Sequence, residues 1–579
     1  MITNITLQRT LLAFAALNLA VVAWDVMSGG IHFTVFGVVF SSWEIAKPLR
    51  YAAGCAATAV WLHDRAAARA SWDTLSPWTA RAAAALAIAS IGIAMWFGIR
   101  AAGGADAYGY VSEATQWVRR SLVADDPLAA LTPQLGLAVA PLGYTLGPTG
   151  AGLVPVYAPG LPLTMAFAQM IGGEHAVFLV VPLLAGLAVW FTYVAGARAI
   201  DGRVGLLAAI LLAFSPLFLL QSLEPMSDVP AVAWWTAAWA MSLSEGPLSA
   251  FGAGVAAAAA ILTRPNLAPL ALVVLASVAA SSPRVRRAAA FVAPVVAGCL
   301  LVAAFNDALY GSPLRSGYGP TQTLYTWSNA APNLRAYARW LNDLYSPVLL
   351  LALASPWFVR RRAAMWRMLV FSAGVLLSYL FYVPFDHWPF ARFLLPAIPL
   401  LLVMSCGVVV NWIGRLPPSL RSFAAIVFAA VLVARDAEVA NRLHVFDIGA
   451  AEQRYATIGE YIGRTLPSNA VVVTSVHSGS VRRYGNRLTL RWDALSPDGL
   501  DRAIALLRGH GYAPYLLLED WEEPRYREHF GPANTFGALD WPAAIEYPWS
   551  GHARVYAIAD RARHLAGTLV VTTPIPTSE

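Results

Sequence analysis

Charged residues are scarce in this sequence of 579 residues. Asp, Glu, Lys and Arg make up 13% of the chain, whereas hydrophobic residues make up 58% and the mean hydropathy is +0.56. A soluble protein of this size needs roughly 25% charged residues. The shortage therefore excludes a soluble enzyme, a disordered scaffold and a disulfide-rich secreted domain, and it indicates a chain surrounded by an apolar solvent.

Several chemical signatures are also missing. The three cysteines, Cys55, Cys299 and Cys406, lie apart inside apolar blocks and predict neither a disulfide nor a CxxC metal site. There is no Walker P-loop, no HExxH and no DxD pair, which argues against ATP as energy source, zinc protease chemistry and a soluble-type nucleotide-sugar transferase. Lys47 is the single lysine, and most arginines lie in short loops, so the net charge of +7 indicates membrane orientation rather than nucleic-acid binding.

What the sequence does contain is apolar stretches of roughly 15–22 residues, the length that a helix needs to cross a bilayer. They are continuous rather than alternating, which argues against a β-barrel. The sequence therefore predicts a polytopic α-helical membrane protein with about thirteen spans. These fall near residues 10–27, 48–62, 79–99, 176–197, 204–221, 229–244, 250–263, 267–281, 289–305, 346–359, 368–383, 394–413 and 422–435.

The arginines predict how the spans are oriented. If the N-terminus is cytoplasmic, one set of short loops carries most of the arginines, and the opposite short loops carry chiefly Lys47, Arg50, Arg264 and Arg392. The positive-inside rule therefore predicts a cytoplasmic N-terminus, and an odd number of spans puts the C-terminal region outside. We expect a multi-pass protein of the bacterial inner (plasma) membrane.

The sequence divides into three parts. We predict an N-terminal helical hairpin over residues 1–78, a transmembrane catalytic module over 79–435 with a long exterior loop at 100–175, and a C-terminal soluble α/β domain over 436–579 on the extracytoplasmic side. The last part is assigned to the α/β class because β-like runs alternate with helical patterns. These runs lie at 470–475, 515–520 and 553–560.

The exterior loop itself contains two helical patterns. Residues 106–120 have apolar side chains at helical spacing and predict an amphipathic helix lying on the membrane surface. Residues 157–173 are too short and too rich in proline at their start for a span, and they predict a second interfacial or re-entrant helix.

Polar residues gather in five loops that the predicted topology places at one exterior membrane face. Charged groups near a bilayer are costly, so this clustering points to a functional site. The loops carry Asp106; Glu224 with Asp228; Arg264; Asn306, Asp307, Arg315 and Tyr318; and Asp386, His387 and Arg392.

Transfer of a sugar from a polyprenyl phosphate needs this combination of groups. A carboxylate accepts the proton of the attacking hydroxyl or amine. Arginines hold the phosphate, which gains charge as it leaves. Aromatic faces suit sugar stacking, and the lipid tail needs an apolar flank. We therefore predict such a transferase at the extracytoplasmic face, active in envelope glycan, lipid or protein glycosylation.

The sequence resembles the GT-C class of membrane glycosyltransferases, in particular the bacterial branch related to protein O-mannosyltransferases and aminoarabinose transferases. The resemblance covers about residues 79–413. It is carried by Asp106 with Tyr108 and Tyr110, YAPGLPL at 157–163, the stretch at 197–230, LTRPN at 262–266, LYGSPLRSGYG at 309–319 and FARFLLPAIPLL at 390–401.

The resemblance implies roles for particular residues. Asp106 would be the catalytic base of an inverting hexosyl or pentosyl transfer, and Glu224 and Asp228 would line the acceptor or metal side. Arg264 and Arg392 would hold the phosphate. One departure concerns position 107, where many relatives carry a second acidic residue and this chain has alanine. The remaining substrate-binding candidates are Tyr108, Tyr318 and His387.

Each assignment has a structural alternative. Asp106 could solvate a helix start, Asp228 could be a helix N-cap, and Arg264 could be an interfacial anchor. Glu224 could anchor its loop among the headgroups, and Tyr108 could belong to an interfacial aromatic belt.

Alternatives also exist for the whole protein. The rival function is a lipid or sugar-lipid transporter or flippase, although such proteins place ionisable residues nearer the membrane midplane. A divalent cation is a possible cofactor. The expected partners are the polyprenyl-phosphate sugar, a glycan, lipid or protein acceptor and membrane lipids, with no nucleic acid. In the C-terminal domain, His477, Ser478 and Asp493 lack the GxSxG elbow of a hydrolase.

Overall fold

The computed structural model describes residues 4–28, 31–35, 38–42, 46–61, 65–148, 150 and 152–576. Up to residue 442 the chain is mainly helical. Two short antiparallel strand pairs interrupt it, β1 (Ile31–Val35) with β2 (Val38–Ser42) and β3 (Tyr144–Leu146) with β4 (Leu153–Pro155). The α-helices of six residues or more in this described part are α1 (Asn4–Ser28), α2 (Ala46–Trp61), α3 (Arg65–Phe97), α4 (Asp106–Arg119), α5 (Gly160–Gly172), α6 (Val180–Ala199), α7 (Gly202–Phe214), α8 (Pro216–Leu223), α9 (Asp228–Ser242), α10 (Pro247–Thr263), α11 (Ala271–Val278), α12 (Arg284–Tyr310), α13 (Ala330–Tyr345), α14 (Leu351–Phe358), α15 (Arg362–Leu380), α16 (Ile398–Ile413) and α17 (Pro418–Arg442).

Five helical stretches of the described residues are long and apolar enough to cross a membrane. A sixth span results if α7 and α8, which meet at a bend of 62°, count as one. The predicted class is thus confirmed, whereas the count of about thirteen spans is not. The five are Trp78–Phe97, Glu174–Ala199, Arg284–Tyr310, Arg362–Leu380 and Trp388–Ile413.

Proline explains much of the difference in span count. Pro216, Pro247, Pro265 and Pro347 each open a short helix, because the ring fits the first helical turn but not the interior. The helix that begins at Pro216 has 8 residues, and the other three have 10–17. At 1.5 Å per residue, all four are shorter than the apolar core of a bilayer, which is about 30 Å thick. Hydropathy counts such pieces as spans because it does not register where an apolar run bends.

The apolar helices pack closely through small residues. A Cβ atom at Gly196 of α6 would lie 2.6 Å from the Cα atom of Gly205 on α7, so a larger residue does not fit. Trp235 and Trp239 of α9 both meet Phe371 of α15 edge-on, with ring centroids 5.4 and 5.7 Å apart. Because lipid is as apolar as the helices themselves, this close fit is what stabilises the bundle.

The C-terminal part is an α/β domain, as predicted. Its six-stranded sheet has the order β10-β8-β9-β7-β5-β6, with β5 parallel to both neighbours and β9 antiparallel to both of its own. The strands are β5 (Ala470–Val473), β6 (Leu488–Leu490), β7 (Ala513–Glu519), β8 (Ile545–Tyr547), β9 (Ala553–Ala557) and β10 (Thr573–Pro574). The helices are α18 (Arg454–Thr465), α19 (Ser478–Gly485), α20 (Leu500–Gly509), α21 (Glu522–Phe530) and α22 (Asp560–Leu565).

The C-terminal domain shares its hydrophobic core with the exterior loop. Leu128, Leu135 and Tyr144 of the loop belong to the same buried cluster as Val471 and Leu516 of the sheet. Hydrogen bonds also join the exterior loop to the C-terminal domain. The Arg491 N–H donates to the carbonyl of Ala138 at 2.7 Å, and the Leu142 N–H donates to Ser478 Oγ at 3.0 Å. The middle of the loop, from Leu128 to Tyr144, therefore packs as part of the C-terminal domain rather than as a free linker.

Helix α4 lies between the membrane part and this domain. Tyr108, Tyr110, Val111 and Ala114 are all buried, on more than one face of the helix. The prediction of an amphipathic helix lying on the membrane surface is therefore wrong for α4, because protein covers it. Helix α5 exposes a row of apolar side chains, and its interfacial placement stays a prediction. Helix α3 runs continuously through the predicted domain boundary at residue 78.

Candidate functional site

Asp106 is the first residue of α4. Its carboxylate accepts a hydrogen bond from the hydroxyl of Tyr157 at 2.7 Å on Oδ1 and forms an ion pair with Arg392 at 2.9 Å on Oδ2. The side chain is 30% exposed, so the oxygens remain accessible. A carboxylate at a helix N-terminus is also stabilised by the helix dipole. These contacts hold the Asp106 carboxylate in one orientation.

Arg392 lies at the start of the apolar stretch Trp388–Ile413. Besides its ion pair, its Nη1 lies 3.2 Å from the sulfur of Met226, and the guanidinium sits 5.1 and 5.5 Å from the ring centroids of Phe390 and Phe393. Its Nε is buried and has no hydrogen-bond partner among the described residues. Arg392 therefore has an N–H group to offer to a ligand.

A second ion pair joins Arg264 and Asp228. Arg264 Nη2 lies 2.6 Å from Asp228 Oδ1, and the two side chains are 11% and 1% exposed. The remaining donors of Arg264 are also engaged, with Nε 3.3 Å from Ser227 Oγ and Nη1 3.1 Å from the hydroxyl of Tyr379. Asp228 Oδ2 is buried without a hydrogen-bond partner in the described part of the chain.

A chain of aromatic and hydroxyl contacts connects the two ion pairs. Tyr110 donates its hydroxyl to Ser227 at 2.8 Å, and its ring centroid lies 4.3 Å from that of Tyr157, which binds Asp106. Phe393 lies beside both arginines, 5.5 Å from Arg392 and 5.8 Å from Arg264. The structure thus brings together residues from four of the five predicted loops.

Glu224 lies in the turn between α8 and α9, close to the same group. Burial raises its pKa to about 8, which Arg392 partly opposes and Glu452, Asp228 and Asp106 reinforce. One of its oxygens accepts a hydrogen bond from Gln221 Nε2 at 3.0 Å. At neutral pH the carboxyl is largely protonated, so Glu224 can donate a hydrogen bond as well as accept one.

Three predicted substrate-binding residues lie elsewhere or at the edge. Tyr108 is buried, and its ring fills the space beside Gly479 of the C-terminal domain, away from the ion pairs. Tyr318 is 51% exposed and meets Tyr157 edge-on at 5.9 Å, at the mouth of the site. His387 is exposed, and its side chain has no hydrogen bond or ion pair among the described residues.

Tyr157 and Tyr379 contact the ion pairs but are not among the sequence-predicted site residues. Tyr157 belongs to the YAPGLPL motif, and that motif is the signal that could have found it. Tyr379 lies inside an apolar helix, where the sequence carries no sign that its hydroxyl meets Arg264.

The C-terminal domain holds the segment that leads to Asp106. The Ala102 N–H donates to the Tyr484 hydroxyl oxygen at 2.8 Å, and a Cβ atom at Gly103 would lie 2.0 Å from the Tyr455 ring. The next residue, Gly104, has φ +60, a conformation that glycine adopts readily. Position 103 thus excludes every side chain, and the two tyrosines fix the path of the backbone.

A buried network supports Tyr455. Arg454 lies 4.4 Å from its ring centroid and pairs with Glu519 at 2.8 Å, and His477 Nε2 lies 3.0 Å from the same carboxylate. Burial raises the pKa of Glu519, but His477 and Arg454 outweigh this and lower it to about 2. His477 is fully buried and Asp493 pairs with Arg491, so the structure forms no hydrolase triad from His477, Ser478 and Asp493.

A metal site does not emerge from these carboxylates. The described residues contain no group of three or more His, Cys, Asp or Glu side chains that could hold a metal ion. Asp106 and Asp228 are each neutralised by an arginine instead. Among the described residues, the carboxylates of the site therefore do not fit a divalent cation.

Residues 156–309 match the family model described as dolichyl-phosphate-mannose-protein mannosyltransferase. This segment is less than half of the chain; it contains Glu224, Asp228 and Arg264, while Asp106 and Arg392 lie outside it. The match confirms the resemblance to GT-C membrane glycosyltransferases and lends nothing to the flippase alternative. No curated protein matches the sequence.

Three solved structures with a similar chain path have low sequence identity to this chain. ArnT from Cupriavidus metallidurans bound to undecaprenyl phosphate is 12% identical, with a TM-score of 0.49 over 84% of this chain and 98% of that one. The Archaeoglobus fulgidus oligosaccharyltransferase is 12% identical, with a TM-score of 0.49 over 83% and 75%. The arabinofuranosyltransferase AftD from Mycobacteria is 14% identical, with a TM-score of 0.45 over 76% and 35%.

Proposed function

We propose that this protein transfers a sugar from a polyprenyl-phosphate-linked donor to an acceptor at the extracytoplasmic membrane face, with inversion at the anomeric carbon. The observation that carries the proposal is the Asp106–Arg392 pair, in which an accessible carboxylate lies 2.9 Å from a guanidinium with an unused N–H group. The acceptor is a glycan, lipid or protein of a bacterial envelope. The family matched over residues 156–309 is named for a donor of the same lipid-phosphate class.

Asp106 acts as the general base. The acceptor O–H or N–H gives its proton to the carboxylate while the acceptor atom forms a bond to the anomeric carbon. The bond between that carbon and the phosphate oxygen breaks, and its electron pair stays with the phosphate. A single displacement of this kind inverts the configuration. The Tyr157 hydroxyl donates a hydrogen bond to Oδ1 and so orients the carboxylate. The carboxylate keeps lone pairs that can accept the proton.

Arg392 holds the departing phosphate. Its Nε has no hydrogen-bond partner among the described residues, and its Nη1 contacts the sulfur of Met226, which is a weak acceptor. Both N–H groups can therefore donate to phosphate oxygens. Charge-assisted hydrogen bonds of this kind strengthen as charge develops on the leaving group. Arg264 is less suited to this task because all three of its nitrogens already have partners. We assign Arg264 with Asp228 to the framework that positions Tyr379 and Ser227.

Glu224 faces the acceptor or sugar side. A carboxyl with a pKa of about 8 is largely neutral at pH 7 and offers a hydrogen-bond donor without adding negative charge next to the phosphate. Tyr318, at the mouth of the site, offers an exposed ring for sugar stacking.

The lipid tail of the donor needs an apolar surface that reaches the site. Helix α5 starts three residues after Tyr157 and exposes Phe167, Met170 and Ile171, which are 67%, 73% and 73% exposed. A polyprenyl chain lying along this row would remain in the bilayer while its phosphate reaches Arg392. Tyr157 therefore links the base to the proposed path of the lipid.

The test compares wild-type cells with cells that carry Asp106→Asn at matched membrane abundance. Polyprenyl-phosphate sugars and envelope glycans are measured by mass spectrometry. We expect one lipid-linked sugar to accumulate while one glycan loses the same sugar. Asp307→Asn is the matched control, because Asp307 is exposed and makes no ion pair among the described residues. Unchanged profiles, under conditions where deletion of the protein changes them, would contradict the assignment of Asp106.

A further inference from the structure

A polar cavity lies at the opposite end of the helices that carry the candidate site. Helix α9 begins at Asp228 in the site and ends at Ser242 in this cavity, a rise of about 22 Å at 1.5 Å per residue. Helix α15 begins at Arg362 beside the cavity and reaches Tyr379, which contacts Arg264. The cavity, of about 390 Å³, is thus on the other side of the module from Asp106.

Positive charge dominates the lining of this cavity. Arginines contribute four of its residues, and no carboxylate contributes any; the lining includes Arg360, Arg361, Arg362, Arg367, Ser277 and Ser281. Within the described parts of the chain, none of the four arginines makes an ion pair. The Nε of Arg367 is buried and has no hydrogen-bond partner there, so at least one donor is already dehydrated and unused.

Neighbouring groups leave this charge without a counterion. The fully buried Arg287 donates to the carbonyls of Val278, Gly246 and Ser242, and so neutralises the negative ends of α9 and α11 beside the cavity. Asp201 is occupied as the cap of α7, where it accepts from the N–H groups of its own first turn. Glu245 is exposed and does not line the cavity.

The flank of the cavity resembles the interfacial layer of a membrane protein. Trp357 and Trp366 are 66% and 50% exposed and meet edge-on at 5.6 Å. Tryptophan with this mixed character is typical of the level of lipid headgroups. The two tryptophans therefore favour a position of the cavity near the level of the lipid headgroups.

We propose that this cavity binds a phosphate group, presented either by the headgroup of an anionic phospholipid or by a soluble phosphate anion. Guanidinium groups match phosphate geometry through paired N–H donors, and the serine hydroxyls complete a set of donors for the remaining oxygens. Basic pockets between helices are known sites of headgroup binding. This inference does not depend on the proposed sugar transfer, and its test needs no activity.

The experiment uses the purified full-length protein, wild type and Arg361→Gln/Arg367→Gln, with binding measured by native mass spectrometry. The probes are phosphatidylglycerol, phosphatidylcholine and inorganic phosphate. We expect wild type to bind phosphatidylglycerol in preference to phosphatidylcholine, and the variant to bind it about tenfold more weakly, the effect of losing a charge-assisted hydrogen bond. The matched control is Arg284→Gln/Arg286→Gln, which removes the same charge from exposed positions at the same end.

The outcomes separate the two sources of phosphate. Displacement of phosphatidylglycerol by millimolar inorganic phosphate assigns the cavity to a soluble anion, and its persistence assigns the cavity to a lipid headgroup. An equal loss in the control, or no loss in either variant, overturns the proposal in favour of diffuse surface charge. If the double variant does not fold, Ser281→Glu, which adds a carboxylate to the lining, must cause the same loss for the proposal to stand.

Discussion

Arginines at the two ends of the transmembrane helices differ in whether a carboxylate neutralises them. At the end that carries Asp106, Arg264 and Arg392 each bind a carboxylate within 3 Å and lie against Phe393. At the other end, four arginines share a cavity in which the described chain provides no carboxylate. Paired charges keep the site neutral and fixed in geometry until a substrate arrives, whereas unpaired charges favour anion binding and orient the protein.

The two ends also differ in what covers them. At the site end, the C-terminal domain packs on the exterior loop and reaches Ala102 and Gly103, directly before Asp106. The cavity at the other end is lined only by the helical part of the chain. Asp106, the proposed base, is therefore positioned by two parts of the sequence that are more than 340 residues apart.

The largest expected effect breaks the pairing at Arg392. Arg392→Gln removes the guanidinium that we propose binds the phosphate and also removes the partner of Asp106, so we expect the rate of sugar transfer in membranes to fall about 100- to 1,000-fold. Arg392→Lys keeps the charge but loses the planar fork, and an intermediate rate is expected. Arg315→Gln, an exposed arginine of another loop at this end, is the matched control and should leave the rate unchanged.

The second expected effect concerns stability. Asp228→Asn leaves the buried Arg264 without its counterion, and removal of one partner of a buried pair costs about 3–5 kcal/mol. Replacing both, as Asp228→Asn with Arg264→Gln, should cost less than the sum of the single changes. Thermal unfolding of the three purified variants in detergent measures this. Strict additivity would mean that the pair does not stabilise the fold as a unit.

A smaller effect is expected where the C-terminal domain meets the site. Gly103→Ala places a methyl group against the Tyr455 ring, displaces the start of α4, and should lower the transfer rate about tenfold, the equivalent of about 1.4 kcal/mol in the barrier. Tyr455→Ala removes that ring, so combining it with Gly103→Ala should restore activity relative to Gly103→Ala alone. Gly509→Ala, in open space, controls for the loss of glycine. No gain in the double variant would show that the contact does not position Asp106.

Sequence and structure agree most at charged residues, because a charge near lipid costs free energy unless it is paired. That Asp106, Asp228, Arg264 and Arg392 have partners was predictable, because charge beside an apolar stretch needs a partner or a function; their roles in a site stay predictions. The sequence did not show that Tyr110 faces the site and Tyr108 faces the C-terminal domain, because a helix buried on two sides has no polar face that marks the direction of the site.

The span count failed for a different reason. A helix interrupted at Pro216 has the same hydropathy as a straight one, so composition does not distinguish a bent pair from a span. The C-terminal sheet was predictable from local alternation of strand and helix patterns. Its shared core with the exterior loop was not, because that core depends on contacts between distant parts of the chain.

The smallest expected effect is a pH dependence that distinguishes Glu224 from its ionised neighbours. Its pKa of about 8 lies above the unfolded value of about 4.3, so the folded state holds a proton that the unfolded state has lost. Stability should therefore decline as pH rises from about 4.3 to 8, and Glu224→Gln should remove the part of that decline that Glu224 causes. Glu522 of the C-terminal domain, whose pKa burial raises to about 7, contributes a decline that remains in the variant. Thermal unfolding from pH 5 to 9 measures the difference between wild type and variant, with the exposed Glu245→Gln as control. The same pH dependence in wild type and Glu224→Gln would mean that Glu224 is ionised and acts as a third anion in the site.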